Sequence, residues 1–151
     1  MAKQNAIMLT EHFSLSEMTR SAWAERHGVT NRPDILQTTA LANLCQTVLE
    51  PLRQQFGPIT IRGAFKNERV NTGEHCPGAS KHLSGEAVDI SFRDEETGRS
   101  YFRFIKCHCD IDQMFFEYNR KGAMWLHVSA CLDPRENRNQ VFPNYLATYE
   151  Q

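Results

Sequence analysis

One residue constrains the fold of this chain more than any other: Asp89, an acid in the middle of a run that reads as a β-strand. Along Glu86-Ala87-Val88-Asp89-Ile90-Ser91-Phe92, Val88, Ile90 and Phe92 share one face, while Ala87, Asp89 and Ser91 share the other. Aspartate is disfavoured in strands, and an ionised carboxylate near a core is costly unless it is paired or metal-bound. The fold must therefore bring a partner to Asp89. Ala87 is small and leaves room beside it, and Gly85 lets the chain turn sharply enough for His82 to fold back toward it.

A second run poses the same question. In Met124-Trp125-Leu126-His127-Val128-Ser129-Ala130, Met124, Leu126 and Val128 face one way, and Trp125, His127 and Ser129 face the other. Residue chemistry leaves two readings of His82, Asp89 and His127. They are polar residues satisfied by hydrogen bonds, or they are the donor set of a catalytic zinc: two histidines and a carboxylate with one coordination position open.

The remaining pattern places these runs. Ser14-Leu15-Ser16-Glu17 has the form of a capping box, predicting a helix from about Ser14 to Arg26 that closes at His27-Gly28. A second helix opens at Asn31-Arg32-Pro33-Asp34 and carries Leu41, Leu44, Cys45, Val48, Leu49, Leu52 and Phe56 at helical spacing. Pro51 should kink it, and Gly57-Pro58 ends it. Ile59 to Arg62 reads as a short strand, followed by a long loop from Lys66 to Lys81. Thr97 to Cys107 reads as a helix, and Asp112–Tyr118 and Met124–Ala130 as two strands of a hairpin joined through Asn119–Ala123. Helices come first and strands follow. The expected class is α+β, with N-terminal helices packed on a small antiparallel sheet, and one domain spanning residues 1–151.

Composition excludes more than it identifies. Seventeen basic against eighteen acidic residues give a formal charge of −1, no general electrostatic reason to expect nucleic acid or an anionic membrane as partner. No apolar run is long enough to span a bilayer, and Met1 to Leu9 lacks the apolar stretch of a secretory signal, so the expected location at synthesis is the cytoplasm. The five cysteines, Cys45, Cys76, Cys107, Cys109 and Cys131, are irregularly spaced and form no C-x-x-C pair, which argues for reduced thiols. Cys107-His108-Cys109 reads as a helix end rather than a zinc cluster, which would need a second such pair. His12, His27, His75 and His108 show no partner pattern; of these, His75 lies in the long loop and is the one that could approach the site. Oligomeric state leaves no mark in the sequence.

His82-Leu83-Ser84-Gly85-Glu86-Ala87-Val88-Asp89 matches the H-x-x-G-x-A-x-D motif of a zinc peptidase superfamily. That superfamily includes the D-Ala-D-Ala carboxypeptidases and dipeptidases, the L-alanyl-D-glutamate endopeptidases of phage lysins, and the hedgehog signalling domain. Trp125-Leu126-His127-Val128-Ser129 looks like its third-ligand strand. Glu11-His12-Phe13-Ser14-Leu15-Ser16-Glu17-Met18 and Val48-Leu49-Glu50-Pro51-Leu52-Arg53 look like the leading segments of a peptidase-like branch found in phage and bacterial proteins. The resemblance covers most of residues 9 to 142.

The resemblance implies a hedgehog-like fold, a zinc ion held by His82, Asp89 and His127, and hydrolysis of peptidoglycan stem peptides, with action on the cell wall after release. The dipeptidase branch places its catalytic carboxylate three residues before the last histidine, where this chain has Met124. In the hedgehog-like arrangement the base stands at the end of the preceding strand, and Glu117 fits that place. Many relatives carry a Tyr-Arg-Ser segment whose arginine grips substrate. Here it is Phe65-Lys66-Asn67, and Lys66 keeps the charge without the bidentate fork. Ser80 is the motif's small hydroxyl before the first ligand, and Trp125 is a candidate wall of the cleft. The departures at Met124 and Lys66 keep a second class open, a zinc-containing binding or structural module such as a phage component. A zinc hydrolase with another substrate is a third.

Overall fold

The computed structural model describes residues 5–147; residues 1–4 and 148–151, including part of the N-terminal segment read above for a signal, lie outside the described residues. Six helices, α1 (Leu15–Thr19), α2 (Ala22–His27), α3 (Ile35–Leu44), α4 (Glu50–Phe56), α5 (Glu68–Gly73) and α6 (Glu95–His108), accompany five strands. The strands are β1 (Thr60–Gly63), β2 (Ala87–Ser91), β3 (Gln113–Tyr118), β4 (Met124–Ser129) and β5 (Gln140–Leu146). They form one sheet in the order β1-β2-β4-β3-β5. The class is α+β. The pairs β1–β2, β2–β4 and β3–β4 are antiparallel as expected, but β5 adds itself parallel to β3, so the sheet is mixed. Among the described residues, no helix is long and apolar enough to cross a membrane.

Local chemistry explains the helix boundaries. Ser14 caps α1 by accepting from the Glu17 N–H, as its position suggests. The helix expected to run on to Arg26 breaks at Arg20, which is extended, and Ser21 caps a fresh start by accepting from the Ala24 N–H. Asp34 and Gln37 form a reciprocal capping box at the head of α3. Around Pro51 the helical ladder is disturbed without being ended. The proline stands at the second position of α4, and the turn before it, Cys45–Leu49, widens into a π-helix in which the Glu50 N–H reaches the Cys45 carbonyl five residues back. A widened turn absorbs the hydrogen bond that a proline cannot make.

Alternation divides the sheet into two faces. Val88, Ile90, Met114, Phe116, Leu126 and Val128 are buried in one cluster with Leu41, Leu44, Val48, Leu49 and Leu52 from α3–α4 and with Phe102 and Ile105 of α6. The opposite face carries Asp89, His127 and Glu117. α3, α4 and α6 thus cover the apolar face, while α2 and α5 border the polar one with the loops.

The strand that the sequence pattern did not reveal is anchored at its start by Asp112. This carboxylate is buried, and both its oxygens accept from the Arg138 guanidinium, at 2.8 and 2.9 Å. The Gln140 N–H then donates to the Asp112 carbonyl at 3.0 Å, which begins the β3–β5 pairing. The Arg138 hydrogen bonds hold the Asp112 carboxyl below its ordinary range. A carboxyl whose folded pKa lies below its unfolded value adds stability above the unfolded value, about 3.9, and loses it as pH falls through the folded one. Arg138→Ala should therefore lower the melting midpoint at pH 7, and the gap from wild type should close below about pH 4. Thermal melts at both pH values check this, and an equal gap at both would remove the clamp.

Candidate metal centre

Register puts the acid and one histidine side by side. Asp89 of β2 stands opposite His127 of β4, with Gly63 of β1 on its other flank. His82 arrives from a 3-10 turn, Lys81–Ser84, that Ser80 caps by accepting from the His82 N–H at 3.2 Å. Gly85 ends that turn at φ 76°, and a Cβ there would stand 2.5 Å from the Gln37 carbonyl oxygen of α3. Only glycine permits both the left-handed turn and the close approach to the helix.

The three side chains converge, with one ligand atom from each lying within 4.8 Å of the others. Asp89 is fully buried; His127 Nδ1 lies 2.9 Å from its Oδ1, and His82 Nε2 lies 3.3 Å from its Oδ2. The other ring nitrogen of His82 tests whether a metal fits. Nδ1 is 2.6 Å from the Ala64 carbonyl, which can only accept, so Nδ1 carries the proton. Nε2 then offers a lone pair to a buried carboxylate oxygen and has no hydrogen-bond partner. Two acceptors face each other across 3.3 Å, an arrangement that a cation between them resolves. Burial drives the His82 pKa down against the pull of Asp89, which keeps the ring neutral. Burial would raise Asp89, but the His82 and His127 contacts outweigh it and hold the carboxyl well below its ordinary range. For His127, burial is outweighed by the Asp89 hydrogen bond and by the charges of Asp89 and Glu117, and its pKa rises. Neutral imidazole and ionised carboxylate are the states that bind metal. The three residues form a group that can hold a metal ion.

Two recesses border this group. One, of about 170 Å³, is lined by His82, His127, Glu117, Ser80, Phe115 and Tyr145. Glu117 is only 4% exposed and pairs in register with Trp125, two residues before His127. The other, of about 500 Å³, has Asp89 at its edge and is lined by the cations Arg20, Arg26, Arg62, Lys66 and Lys121. His75 joins that second recess, so the long loop does carry it to the site's neighbourhood.

Two expected substrate contacts look different in the structure. Lys66 is only 4% exposed: its Nζ lies 3.0 Å from Glu74, 3.4 Å from Cys76 Sγ and 3.9 Å from Asp89. Burial would lower its pKa, but the charges of Asp89, Cys76 and Glu74 outweigh that and raise it, so the ammonium is kept and is matched from within. It balances the carboxylates of the site rather than reaching out to substrate. Trp125 does not wall either recess. It is fully buried, and the Arg62 guanidinium lies 4.3 Å over its ring.

The sequence reading passed over Glu74 and Tyr145. The segment expected to be a loop from Lys66 to Lys81 contains α5, capped by Asn67, and it is this helix that carries Glu74 back onto Lys66 and Ser21. No local pattern marks that residue. The remaining histidines stand apart: His12 bonds Glu50, His27 stacks on Trp23, and His108 lies on Phe104 in the last turn of α6. Cys107 and Cys109 are free, and burial pushes the Cys109 thiol up to about 11. Lys66→Met should lower the stability of the metal-free protein by about 3 kcal/mol, because it leaves buried carboxylates without their counter-charge. Added zinc should recover part of that loss by supplying charge to Asp89. Urea melts with and without zinc check this, and an undiminished midpoint in the variant would discount the pair.

Comparison with curated proteins finds no match for the sequence. A family model described as Peptidase M15 matches residues 11–129, a span that includes His82, Asp89, Glu117 and His127 and stops before β5. The chain therefore belongs to the M15 peptidase family, within the zinc D-Ala-D-Ala carboxypeptidase-like superfamily.

Proposed function

We propose that this protein is a zinc metallopeptidase that hydrolyses peptide bonds of bacterial peptidoglycan stem peptides. The observation that carries this reading is the meeting of His82, Asp89 and His127 beside Glu117, a buried carboxylate in the same recess as both histidines. The donor set suits zinc, which when bound polarises a carbonyl and brings the pKa of water toward neutrality. Every other function falls to the chain itself. Glu117 faces the recess and is the group placed to accept a proton from water and return it to the leaving amine. The Ala64 carbonyl fixes the His82 tautomer, and Ser80 holds the turn that presents it. Lys66 offsets the charge of Asp89. The cation-lined recess beside Asp89 suits stem peptides, which carry several carboxylates.

One observation favours a second reading, a zinc-containing module that binds without turnover: the family's arginine is here a lysine already matched by Glu74. Two experiments separate the readings. Metal analysis of purified protein should give about one zinc per chain, and Asp89→Ala should abolish it. Release of new amino groups from purified peptidoglycan should be seen with zinc-loaded wild type. In Glu117→Gln it should fall by about 10²–10⁴-fold while zinc is retained. Undiminished hydrolysis in Glu117→Gln would dismiss Glu117 as the base. A zinc-loaded wild type that releases no amines would leave the binding module standing.

A further inference from the structure

β5 lies beyond the family-matched segment, yet it lines the recess that holds both histidines. Its register against β3 is irregular: Phe115 stands beside Phe142 and Glu117 beside Tyr145, so two steps along β3 answer three along β5. In a regular strand, residues three apart point to opposite faces. The extra residue turns Tyr145 back to the face that Phe142 already shares with Phe115, which is what a bulge does when it re-aims a side chain. Phe115 meets both rings, stacked on Phe142 at 4.5 Å and edge-on to Tyr145 at 4.9 Å, and itself lies 5.7 Å from the His127 ring. The bulge is also held from outside. Arg99 of α6 donates to the Pro143 carbonyl and, at 2.9 Å, to Asn144 Oδ1, the two residues between the rings. Despite these contacts Phe142 and Tyr145 remain 36% and 40% exposed. Aromatic surface is thus held open against an ionic site, in a recess of about 170 Å³ that has room for an apolar side chain.

We propose that Tyr145, aimed by the β5 bulge, is a specificity-determining residue, and that with Phe115 and Phe142 it forms an aromatic wall for an apolar substrate side chain next to the scissile bond. This rests on the peptidase reading for its substrate. The wall supplies apolar contact on the Glu117 side, while the cation-lined recess takes the substrate's carboxylates on the Asp89 side.

The test uses the zinc-loaded protein and three stem-type peptides that carry Ala, Leu or Asp beside the scissile bond. Wild type should prefer Ala and Leu to Asp. Tyr145→Thr, which keeps a residue suited to strands, should raise KM for the Ala peptide about tenfold with kcat within about twofold, and should flatten the preference. Tyr145→Phe should restore both. Arg99→Ala should shift KM in the same direction by releasing the bulge. An unchanged KM and preference in zinc-replete Tyr145→Thr would overturn the wall and leave the peptidase reading intact. If wild type cleaves none of the peptides, the peptidase reading fails, and calorimetric affinity for the Ala peptide decides the wall. Weaker binding by Tyr145→Thr upholds it; equal affinity, or no binding by wild type, overturns it.

Discussion

The structure depends on a single buried charge. Asp89 sits at 0% exposure in the middle of a strand, and a carboxylate there is tolerated only where partners surround it. The partners come from three separate parts of the chain: His127 from β4, His82 from the 3-10 turn, and Lys66 from the segment after β1, itself steadied by Glu74 at the end of α5. Each arrival imposes a condition on the fold. The β2–β4 register must be the observed one, since a slip of one residue would carry His127 to the apolar face. Gly85 must stay glycine, because the turn that delivers His82 presses against the Gln37 carbonyl. Glu86 pins the same turn, accepting from Ser84 Oγ at 2.7 Å and from the Leu132 N–H at 2.8 Å. The H-x-x-G-x-A-x-D segment is therefore a packing unit as well as a donor set. Two of its residues supply acceptors, and most of the others make the turn possible.

This explains what the sequence disclosed. Asp89 and His127 were legible because each breaks the polarity rule of an otherwise regular strand, and such exceptions are informative when alternation is strict. The longer helices were legible from caps and spacing, down to Asp34, and Ser14 marked the start of α1; the break at Arg20 and the short α5 were not. Pro51 was legible as a disturbance, and the structure adds the widened turn that precedes it. β5 was not legible. It is an edge strand with Pro143 in its middle, its side chains are mostly exposed, and its bulge destroys the period of two. Burial of Lys66 was not legible either, since a lysine after a strand is usually solvated, and Glu74, which pairs with it, caps the end of a short helix whose return no local signal predicts.

Lys66, which stands where the resemblance implies an arginine, has an electrostatic consequence that turns on Glu74. Without a metal, the Lys66 ammonium lies within ion-pair distance of Asp89, at 3.9 Å. A dication held by His82, Asp89 and His127 would bring two positive charges to the same carboxylate and leave the buried ammonium beside an excess of positive charge. A compact ammonium cannot spread its charge as a guanidinium does, so the repulsion would fall on one atom. Glu74, 3.0 Å from that atom, supplies the missing negative charge. Ser21 holds Glu74 in turn by donating its hydroxyl at 2.9 Å, which ties the charge balance of the site to the break between α1 and α2. Cys76 adds a polarisable sulfur at 3.4 Å on the same side. The loop between Lys66 and Lys81 is thus the element that lets a lysine and a metal ion share one buried aspartate. Its length is explained by the need to fold α5 back far enough to place a carboxylate where the sheet itself offers none.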